Sequence, residues 1–264
     1  MCPMLVDKEK LSVLGVIPAR YASTRMPGKP LALINDVPMV EWVARGASES
    51  EKMDELVIAT DDERVRDAVA SCGRKAVMTS PTLRSGTDRV AIVAAQFDHD
   101  LVINIQGDEP LVKGAMIDAL VDALSSDEMV SMATLGYPMS EEEADDPNVV
   151  KVVTDMRGRA LYFSRSKIPF IRRPPHEGAQ NYFKHVGIYG YRRDFLLKFA
   201  ALPPSPLEQT EGLEQLRALE YGFPIRVVET PYRVVGVDTQ DDLERVKVVL
   251  PASGEEGEGK PTGV

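Results

Sequence analysis

The chain has 264 residues and a formal net charge of -10, with 44% hydrophobic and 27% charged residues. This composition is typical of a globular protein with a substantial core, and it excludes a disordered chain. The acidic balance argues against nonspecific nucleic-acid binding, which requires a basic surface that replaces counterions.

The first half of the chain alternates apolar strands with amphipathic helices. Strands are predicted at 12–19, 55–60, 75–80 and 101–106, and helices at 38–50, 62–72, 87–97 and 114–126. Near-continuous apolar strands separated by helices predict a parallel sheet that is covered on both faces. In such sheets ligands bind at the carboxyl ends of the strands.

The second half of the chain is richer in strands joined by short links. Strands are predicted at 129–137, 149–155, 159–165, 185–191 and 224–230, and helices at 211–222 and 238–249. Residues from about 130 to 205 indicate a mixed-sheet insertion that forms a lid or a subunit contact. We expect one domain over residues 1–250 and a disordered acidic tail at 251–264.

Cysteines and apolar runs indicate the compartment. Cys2 and Cys72 form no pattern of disulfides or zinc ligands. No apolar run approaches the ~18 residues that a membrane-spanning helix needs, and the first residues carry no apolar signal sequence. We therefore expect a cytoplasmic protein that binds neither a membrane nor nucleic acid.

The loop after the first strand concentrates positive charge in an acidic chain. Arg20, Arg25 and Lys29 lie within ten residues, among small residues that include Ala22 and Ser23. Arginine forks and a lysine ammonium suit phosphate oxygens, and small residues let the backbone approach a ligand. A solvated surface loop is the alternative, but the position after a core strand favours anion binding.

Acidic residues follow two other predicted strands. Asp108 and Glu109 come after strand 101–106, and carboxylates at such a strand end suit Mg²⁺ together with substrate phosphates. A plain turn is the alternative for this Gly-Asp-Glu-Pro segment. Asp238 follows a short apolar strand predicted at 234–237 and is either a helix cap or, with Asp108, a second metal ligand.

Two further groups of polar residues are candidates for binding. Ser85 precedes a helix whose first turn contains Arg89, and a cation there is unfavourable for the helix dipole, which indicates an outside partner. A plain helix cap is the alternative. In the second half, Arg165, His185 and the pair Glu214 and Gln215 lie beside apolar residues, although a lone histidine is usually structural.

Seven motifs, in order, resemble the 3-deoxy-manno-octulosonate cytidylyltransferase family: IPARYASTRMPGKPL, SGTDRV, NIQGDEPLV, YFSRSKIPF, KHVGIYGYRRDFL, LEQLRALEYG and GVDTQDDLERV. The resemblance covers residues from about 12 to 250. It implies a Rossmann-like (GT-A-like) nucleotidyltransferase fold. A mostly parallel central sheet with helices on both faces would carry a mixed-sheet insertion for sugar binding and dimerisation.

The family resemblance also implies an activity. Its members are cytoplasmic, Mg²⁺-dependent, homodimeric enzymes. They transfer CMP from CTP to the anomeric hydroxyl of 3-deoxy-D-manno-octulosonate (KDO), releasing pyrophosphate, for lipopolysaccharide biosynthesis. Two alternatives stay open: a cytidylyltransferase for another acid sugar, sialic-acid-like or 8-amino-KDO, and a non-catalytic nucleotide-binding protein on the same scaffold.

The resemblance assigns roles to particular residues. The catalytic residues would be Arg20, Lys29, Asp108 and Asp238, with Asp108 and Asp238 as metal ligands. Contacts to CTP would come from Arg20, Ala22, Ser23, Arg25, Lys29, Ser85, Arg89 and Gln106. The acid-sugar pocket would contain Arg165, His185, Tyr189, Glu214 and Gln215, with His185 binding the sugar rather than acting as a general base.

Overall fold

The computed structural model describes residues 10–22, 26–173 and 182–251. The strands are β1 Val13–Ala19, β2 Leu33–Ile34, β3 Val37–Pro38, β4 Glu55–Thr60, β5 Lys75–Met78, β6 Leu101–Asn104, β7 Met132–Met139, β8 Lys151–Thr154, β9 Ala160–Ser164, β10 Tyr182–Arg192 and β11 Ile225–Glu229. The helices are α1 Met39–Ser48, α2 Glu63–Ser71, α3 Gly86–Ala94, α4 Gly114–Ser126, α5 Glu141–Asp145, α6 Arg193–Ala200, α7 Pro206–Glu211, α8 Gln215–Glu220 and α9 Gln240–Val249.

The central sheet has the strand order β11-β7-β10-β6-β1-β4-β5. Strands β6, β1, β4 and β5 are parallel to one another, and β11 is parallel to β7. Strand β10 runs antiparallel to both of its neighbours, β6 and β7. The prediction of a mostly parallel sheet is therefore confirmed, and the parallel strands direct their carboxyl ends to one edge.

Alternate residues of the buried strands build a core on each face of the sheet. On one face Ile17 and Ile103 belong to the same core as Met116 and Leu120 of α4. On the other face Leu14 and Val16 pack in a core that includes residues of α3, α6 and α8. Because successive side chains of a strand point to opposite faces, an unbroken apolar strand such as β1 needs this double cover.

The segment predicted as an insertion, from about 130 to 205, supplies β7 and β10 to the central sheet. Strands β8 and β9 pair with each other, and β8 pairs with β10 where Lys151 lies opposite Lys184. A bridge between Arg159 and Arg226 also joins the start of β9 to β11, so the insertion is a branch of the main sheet. Its predicted part in dimerisation and the predicted single domain over 1–250 stay predictions.

Three local features differ from the prediction. The helix predicted at 211–222 is shorter, because only α8 at Gln215–Glu220 lies within it, and α7 at Pro206–Glu211, which Gly212 ends with a positive φ of 63°, lies mostly before it. Residues 234–237 form no regular strand; among the described backbone hydrogen bonds, the Val237 N–H donates to the Asp108 carbonyl at 2.9 Å. The β2–β3 hairpin and helices α5 and α6 lie where no element was predicted.

Polar side chains fix the start of the helices that border the candidate site. Asp62 caps α2, accepting from the Arg64 N–H, and Ser85 caps α3, accepting from the Asp88 N–H. Thr239 caps α9 in a reciprocal arrangement with Asp242. Such caps satisfy backbone groups that have no partner within the helix. Among the described helices, none is long and apolar enough to cross a membrane.

Candidate active site

Three adjacent strands deliver polar residues to one edge of the sheet. Arg20 directly follows β1, Asp61 follows β4 by one residue, and Gln106 and Asp108 lie just beyond β6. Strands β6, β1 and β4 are neighbours and parallel, so these residues share the carboxyl edge where open sheets bind ligands. The predicted location of the site is therefore consistent with the strand order.

Lys29 joins the two acids that were predicted as metal ligands. Its Nζ lies 2.6 Å from Asp108 Oδ2 and 2.9 Å from Asp238 Oδ1. The backbone hydrogen bond from Val237 to Asp108 holds the segment that carries Asp238 against the end of β6. The structure thus brings together residues separated by up to 209 positions.

The charges at this point stabilise the protonated lysine. Burial opposes the positive charge, but the carboxylates of Asp108 and Asp238 outweigh it and raise the pKa of the Lys29 ammonium. Asp242 helps to position Asp238, because its carboxylate accepts a hydrogen bond from the Asp238 N–H at 3.2 Å. The cap of α9 and the position of Asp238 are therefore linked through one side chain.

Glu109 lies beside this group and carries an unsatisfied atom. Its Oε2 is buried and has no hydrogen-bond partner among the described residues. Burial raises the pKa of the Glu109 carboxyl to about 8, and the charge of Asp108 adds to the shift. Gly236 leaves room for the side chain, because a Cβ there would lie 3.3 Å from Glu109 Oε1.

The donor chemistry of Asp108 and Asp238 fits a hard divalent cation. The two carboxylates converge on one positively charged nitrogen, and both remain partly exposed, with 36% and 45% of their side-chain surfaces accessible. The described residues contain no group of three or more His, Cys, Asp or Glu side chains arranged for a metal. Mg²⁺ characteristically uses one or two carboxylates together with substrate phosphates, so two acids are sufficient.

A backbone hydrogen bond joins the two ends of the cationic loop. The Gly28 N–H donates to the Tyr21 carbonyl at 3.0 Å, and Gly28 has a φ of 72° that favours glycine. Arg64 stacks over the Tyr21 ring at 3.6 Å from its centroid. Ala22 is exposed. Ser23 and Arg25, both predicted to contact CTP, lie outside the described residues.

Arg89 has a partner within the chain. Its side chain is 2% exposed, and its Nη2 lies 3.0 Å from Asp61 Oδ2. The guanidinium also donates to the Thr79 hydroxyl. Helix α3 thus turns Arg89 inward, onto an aspartate at the end of β4, while its predicted contact with CTP stays a prediction.

Ser85 caps α3 as the alternative interpretation predicted, and it also reaches across to the second half of the chain. Its Oγ donates to Glu214 Oε1 at 3.1 Å, and the Thr87 hydroxyl donates to Glu214 Oε2 at 2.5 Å. Arg217 adds a charged hydrogen bond to the same carboxylate at 3.0 Å. One carboxylate thus connects the start of α3 with the start of α8.

His185 is buried and neutral. Its Nε2 lies 3.0 Å from Thr134 Oγ1, and the ring contacts Phe163 and Tyr189. Burial lowers the pKa of the His185 imidazole to about 3. The hydroxyl proton of Thr134 is directed to carbonyls of residues 186 and 188, which makes the His185 Nε2–H the donor to Thr134 and leaves Nδ1 as the acceptor.

The other predicted sugar-pocket residues lie on the same side of the sheet. Tyr189 is 9% exposed, and burial, together with the charge of Glu214, raises its pKa well above the ordinary value. Gln215 is 4% exposed, and its Nε2 has no partner among the described residues.

Gln106, predicted to contact CTP, lies close to β10, since a Cβ at Gly187 would be 3.6 Å from Gln106 Cγ.

Arg165 is held by the segment that precedes α8. Its Nε donates to the Glu211 carbonyl at 2.9 Å, and its Nη1 donates to the Pro147 carbonyl at 3.3 Å. Its backbone N–H donates to the Glu211 carboxylate at 3.0 Å. Backbone acceptors thus orient the guanidinium of Arg165.

Sequence reasoning missed four residues near these groups: Asp61, Thr134 and Glu211, which contact them, and Asn104. Asn104 is 1% exposed, and neither polar atom of its side chain has a partner among the described residues. Two of the four carried a signal. Asp61 follows a buried strand next to β1, and Asn104 is a polar residue inside the apolar run LVINI.

Comparisons with known proteins identify the family. The family model described as cytidylyltransferase matches residues 14–229. A 3-deoxy-manno-octulosonate cytidylyltransferase from Solibacter usitatus is 52% identical over 248 residues, which cover 94% of this chain and 98% of the relative. Another, from Fusobacterium nucleatum, is 47% identical and covers 89% of this chain and 96% of the relative.

A solved structure supports the same grouping. It is the structure of CMP:2-keto-3-deoxy-manno-octonic acid synthetase complexed with CTP, and it matches with a TM-score of 0.85 and 44% identity. The match covers 90% of this chain and 98% of that one. The chain therefore belongs to the cytidylyltransferase family and groups within it with the 3-deoxy-manno-octulosonate cytidylyltransferases.

Proposed function

We propose that this chain transfers the CMP group of CTP to the anomeric hydroxyl of KDO and releases pyrophosphate. The observation that carries the proposal is the convergence of Asp108 and Asp238 on Lys29 at the carboxyl edge of the sheet. The relatives that are about half identical over nearly the whole chain bear this activity in their names. The product would supply lipopolysaccharide biosynthesis.

The cationic loop would bind the triphosphate. Arg20 and Lys29 lie at the ends of the loop, and Ala22, Ser23 and Arg25 belong to the same loop. Phosphoryl and nucleotidyl transfers need little covalent chemistry from a protein, because positioning and charge stabilisation provide most of the rate. Positive charge beside the departing pyrophosphate would stabilise the leaving group.

Asp108 and Asp238 would hold Mg²⁺. When bound, this ion would neutralise phosphate charge and favour ionisation of the attacking hydroxyl. The fit rests on two hard carboxylates that already converge on one cationic group, Lys29. Gln106, two residues before Asp108, would lie by the cytosine together with the start of α3.

The acid sugar would bind on the face that carries His185, Tyr189, Glu214 and Gln215. A neutral His185 whose Nε2–H is given to Thr134 offers Nδ1 to a sugar hydroxyl. The Gln215 Nε2, which has no partner among the described residues, offers a donor. Arg165, the positively charged member of the predicted pocket, suits the sugar carboxylate.

The reaction would then be an in-line displacement. The anomeric oxygen bonds to the α-phosphorus of CTP, the bond from that phosphorus to the bridging oxygen breaks, and pyrophosphate leaves. The hydroxyl proton is lost to solvent. His185 is a poor general base here, since burial lowers the pKa of its imidazole to about 3.

The cellular setting is proposed on the resemblance to the family. We infer a cytoplasmic enzyme that acts as a homodimer. Cys72, a cysteine of the described residues, is free and exposed, as a reducing compartment allows.

Pyrophosphate release tests the proposal. The assay compares CTP with UTP, ATP and GTP, and KDO with 8-amino-KDO and a sialic acid, at saturating Mg²⁺. The proposal predicts release with CTP and KDO above every other pair. Faster release with another acid sugar would support the alternative substrate. Binding of CTP without release for any acceptor would support the non-catalytic alternative.

A further inference from the structure

Asp61 lies behind the cationic loop and has no assigned role. It is the first residue after β4, and its side chain is 6% exposed. Three donors surround its carboxylate: Arg89 Nη2 at 3.0 Å, the Tyr21 backbone N–H at 3.4 Å and Arg20 Nε at 3.9 Å. These donors come from α3 and from the first residues of the loop that follows β1.

The inner side of this group is rigidly held. Arg89 is 2% exposed and also donates to the Thr79 hydroxyl, which in turn donates to the Thr60 carbonyl at 2.9 Å. A buried carboxylate is stable only with a charged or hydrogen-bonded partner, and Arg89 supplies it. The position of Asp61 is therefore set from inside the protein, by elements that do not belong to the loop.

The outer side of the group faces solvent. The Arg20 side chain is 51% exposed, and its Nε lies toward Asp61 Oδ2. A guanidinium has five N–H donors in a fixed fork, so contact along one edge leaves the other edge for an anion. At 3.9 Å the Arg20 Nε is too far from Asp61 Oδ2 for a hydrogen bond, so the attraction between the two charges orients this guanidinium.

We propose that Asp61 is the positioning residue of the phosphate-binding loop. It fixes the start of the loop through Tyr21 and directs the guanidinium of Arg20 toward the triphosphate. Arg89 acts on the nucleotide through Asp61 and not by direct contact. This inference rests on the proposed function, since it takes Arg20 as a phosphate ligand.

A structural ion pair between Asp61 and Arg89 is the competing explanation, and a double-mutant cycle separates the two. Binding of CTP is measured by calorimetry, and the KM values for CTP and KDO are measured in the pyrophosphate assay. Asp61→Asn is expected to weaken CTP binding by about tenfold with little change in the KM for KDO. In the Arg20→Ala background the same substitution is expected to weaken CTP binding by clearly less than about tenfold, because only the Tyr21 contact of Asp61 then remains to be lost.

Glu41 provides a matched control. Its side chain is 7% exposed and lies between two arginines, with Arg45 Nε at 3.0 Å and Arg74 Nε at 3.1 Å. Glu41→Gln therefore also removes a buried charge from two arginines, on α1 and not at the sheet edge. It is expected to lower thermal stability without changing the affinity for CTP.

Two results would overturn the proposal: CTP affinity unchanged in Asp61→Asn, or effects of Asp61→Asn and Arg20→Ala that simply add. If circular dichroism shows that Asp61→Asn is unfolded, the same cycle with Asp61→Glu decides, since the longer side chain displaces Arg20 while retaining the charge. Failure of the proposed function is recognised separately, as wild-type protein that releases no pyrophosphate. The calorimetric cycle still tests Asp61 in that case.

Discussion

The ammonium of Lys29 lies 2.6 Å from the carboxylate of Asp108, although 79 positions separate the two residues in the chain. Lys29 begins a short 3-10 turn after the cationic loop, and Asp108 follows the central strand β6. Their contact connects Lys29, at the end of the loop, to the carboxyl edge of the sheet. It brings the groups suited to phosphate next to the groups suited to a divalent cation.

The tie between α3 and Glu214 predicts a separable effect on the acid sugar. Thr87→Val removes the hydroxyl that donates to Glu214 Oε2 and leaves a half-buried carboxylate with one donor fewer. We expect a stability loss of about 1–3 kcal/mol and a higher KM for KDO than for wild type, with the KM for CTP nearly unchanged.

Chemical denaturation and steady-state kinetics measure both quantities. Thr82→Val is the control, because Thr82 is exposed and its hydroxyl shares a surface hydrogen bond with Ser80. An equal rise in the two KM values of Thr87→Val would argue that Glu214 does not belong to the sugar side of the site.

The cap of α9 predicts a link between helix stability and cation use. Thr239→Ala removes a cap and loosens Asp242, which also accepts from the Asp238 N–H. We expect a loss of about 1 kcal/mol in the free energy of unfolding and a higher Mg²⁺ concentration for half-maximal rate.

Ser140→Ala removes the same type of cap from α5, with Glu143 in the place of Asp242. It is expected to lower stability to a similar extent while leaving the Mg²⁺ requirement at the wild-type value. If the two variants respond alike to Mg²⁺, the cap of α9 does not position Asp238.

The buried imidazole of His185 predicts a pH dependence of stability. Burial lowers the pKa of His185 from 6.5 to about 3, so the folded chain binds this proton only in strong acid. The unfolded chain binds this proton below about pH 6.5, so acid favours unfolding. The contribution of His185 to the free energy of unfolding is therefore complete above pH 6.5. It is lost as the pH falls from 6.5 toward 3, at up to about 1.4 kcal/mol per pH unit.

His185→Gln removes this contribution, so its free energy of unfolding should fall less steeply with acid than that of wild type. Urea denaturation from pH 7 to pH 4 measures the difference. The pH profile of kcat supplies an independent check. A limb with an apparent pKa near 6.5 that disappears in His185→Gln would mean that His185 titrates as a general base.

Much of the sheet could be predicted because apolar periodicity determines it. Strand β4 was predicted at the residues it occupies, and α4 likewise, since unbroken apolar strands and amphipathic helices leave few other arrangements. Residues 234–237 misled the prediction because they are apolar and partly buried yet have no strand partner. An apolar segment indicates that its side chains are buried, but it does not indicate that its backbone pairs with another strand.

The candidate site was predicted in part. Lys29, Asp108 and Asp238 could be grouped because they lie at strand ends or in recognisable motifs. The direction of the Arg89 side chain in α3 could not be predicted, since its partner Asp61 follows strand β4, 28 positions away. Pairing between a helix and a distant strand end depends on the three-dimensional arrangement, which local sequence does not encode.

The most direct test of the account is the rate of pyrophosphate release from CTP and KDO by Asp108→Asn and Asp238→Asn. Asp241→Asn, an exposed acid three residues beyond Asp238, is the control. Both site variants should fold, since their carboxylates are partly exposed, and turnover at saturating Mg²⁺ should fall by at least about 100-fold. The control should keep the wild-type rate. A near-native rate in either site variant would contradict the assignment of these acids and of the site.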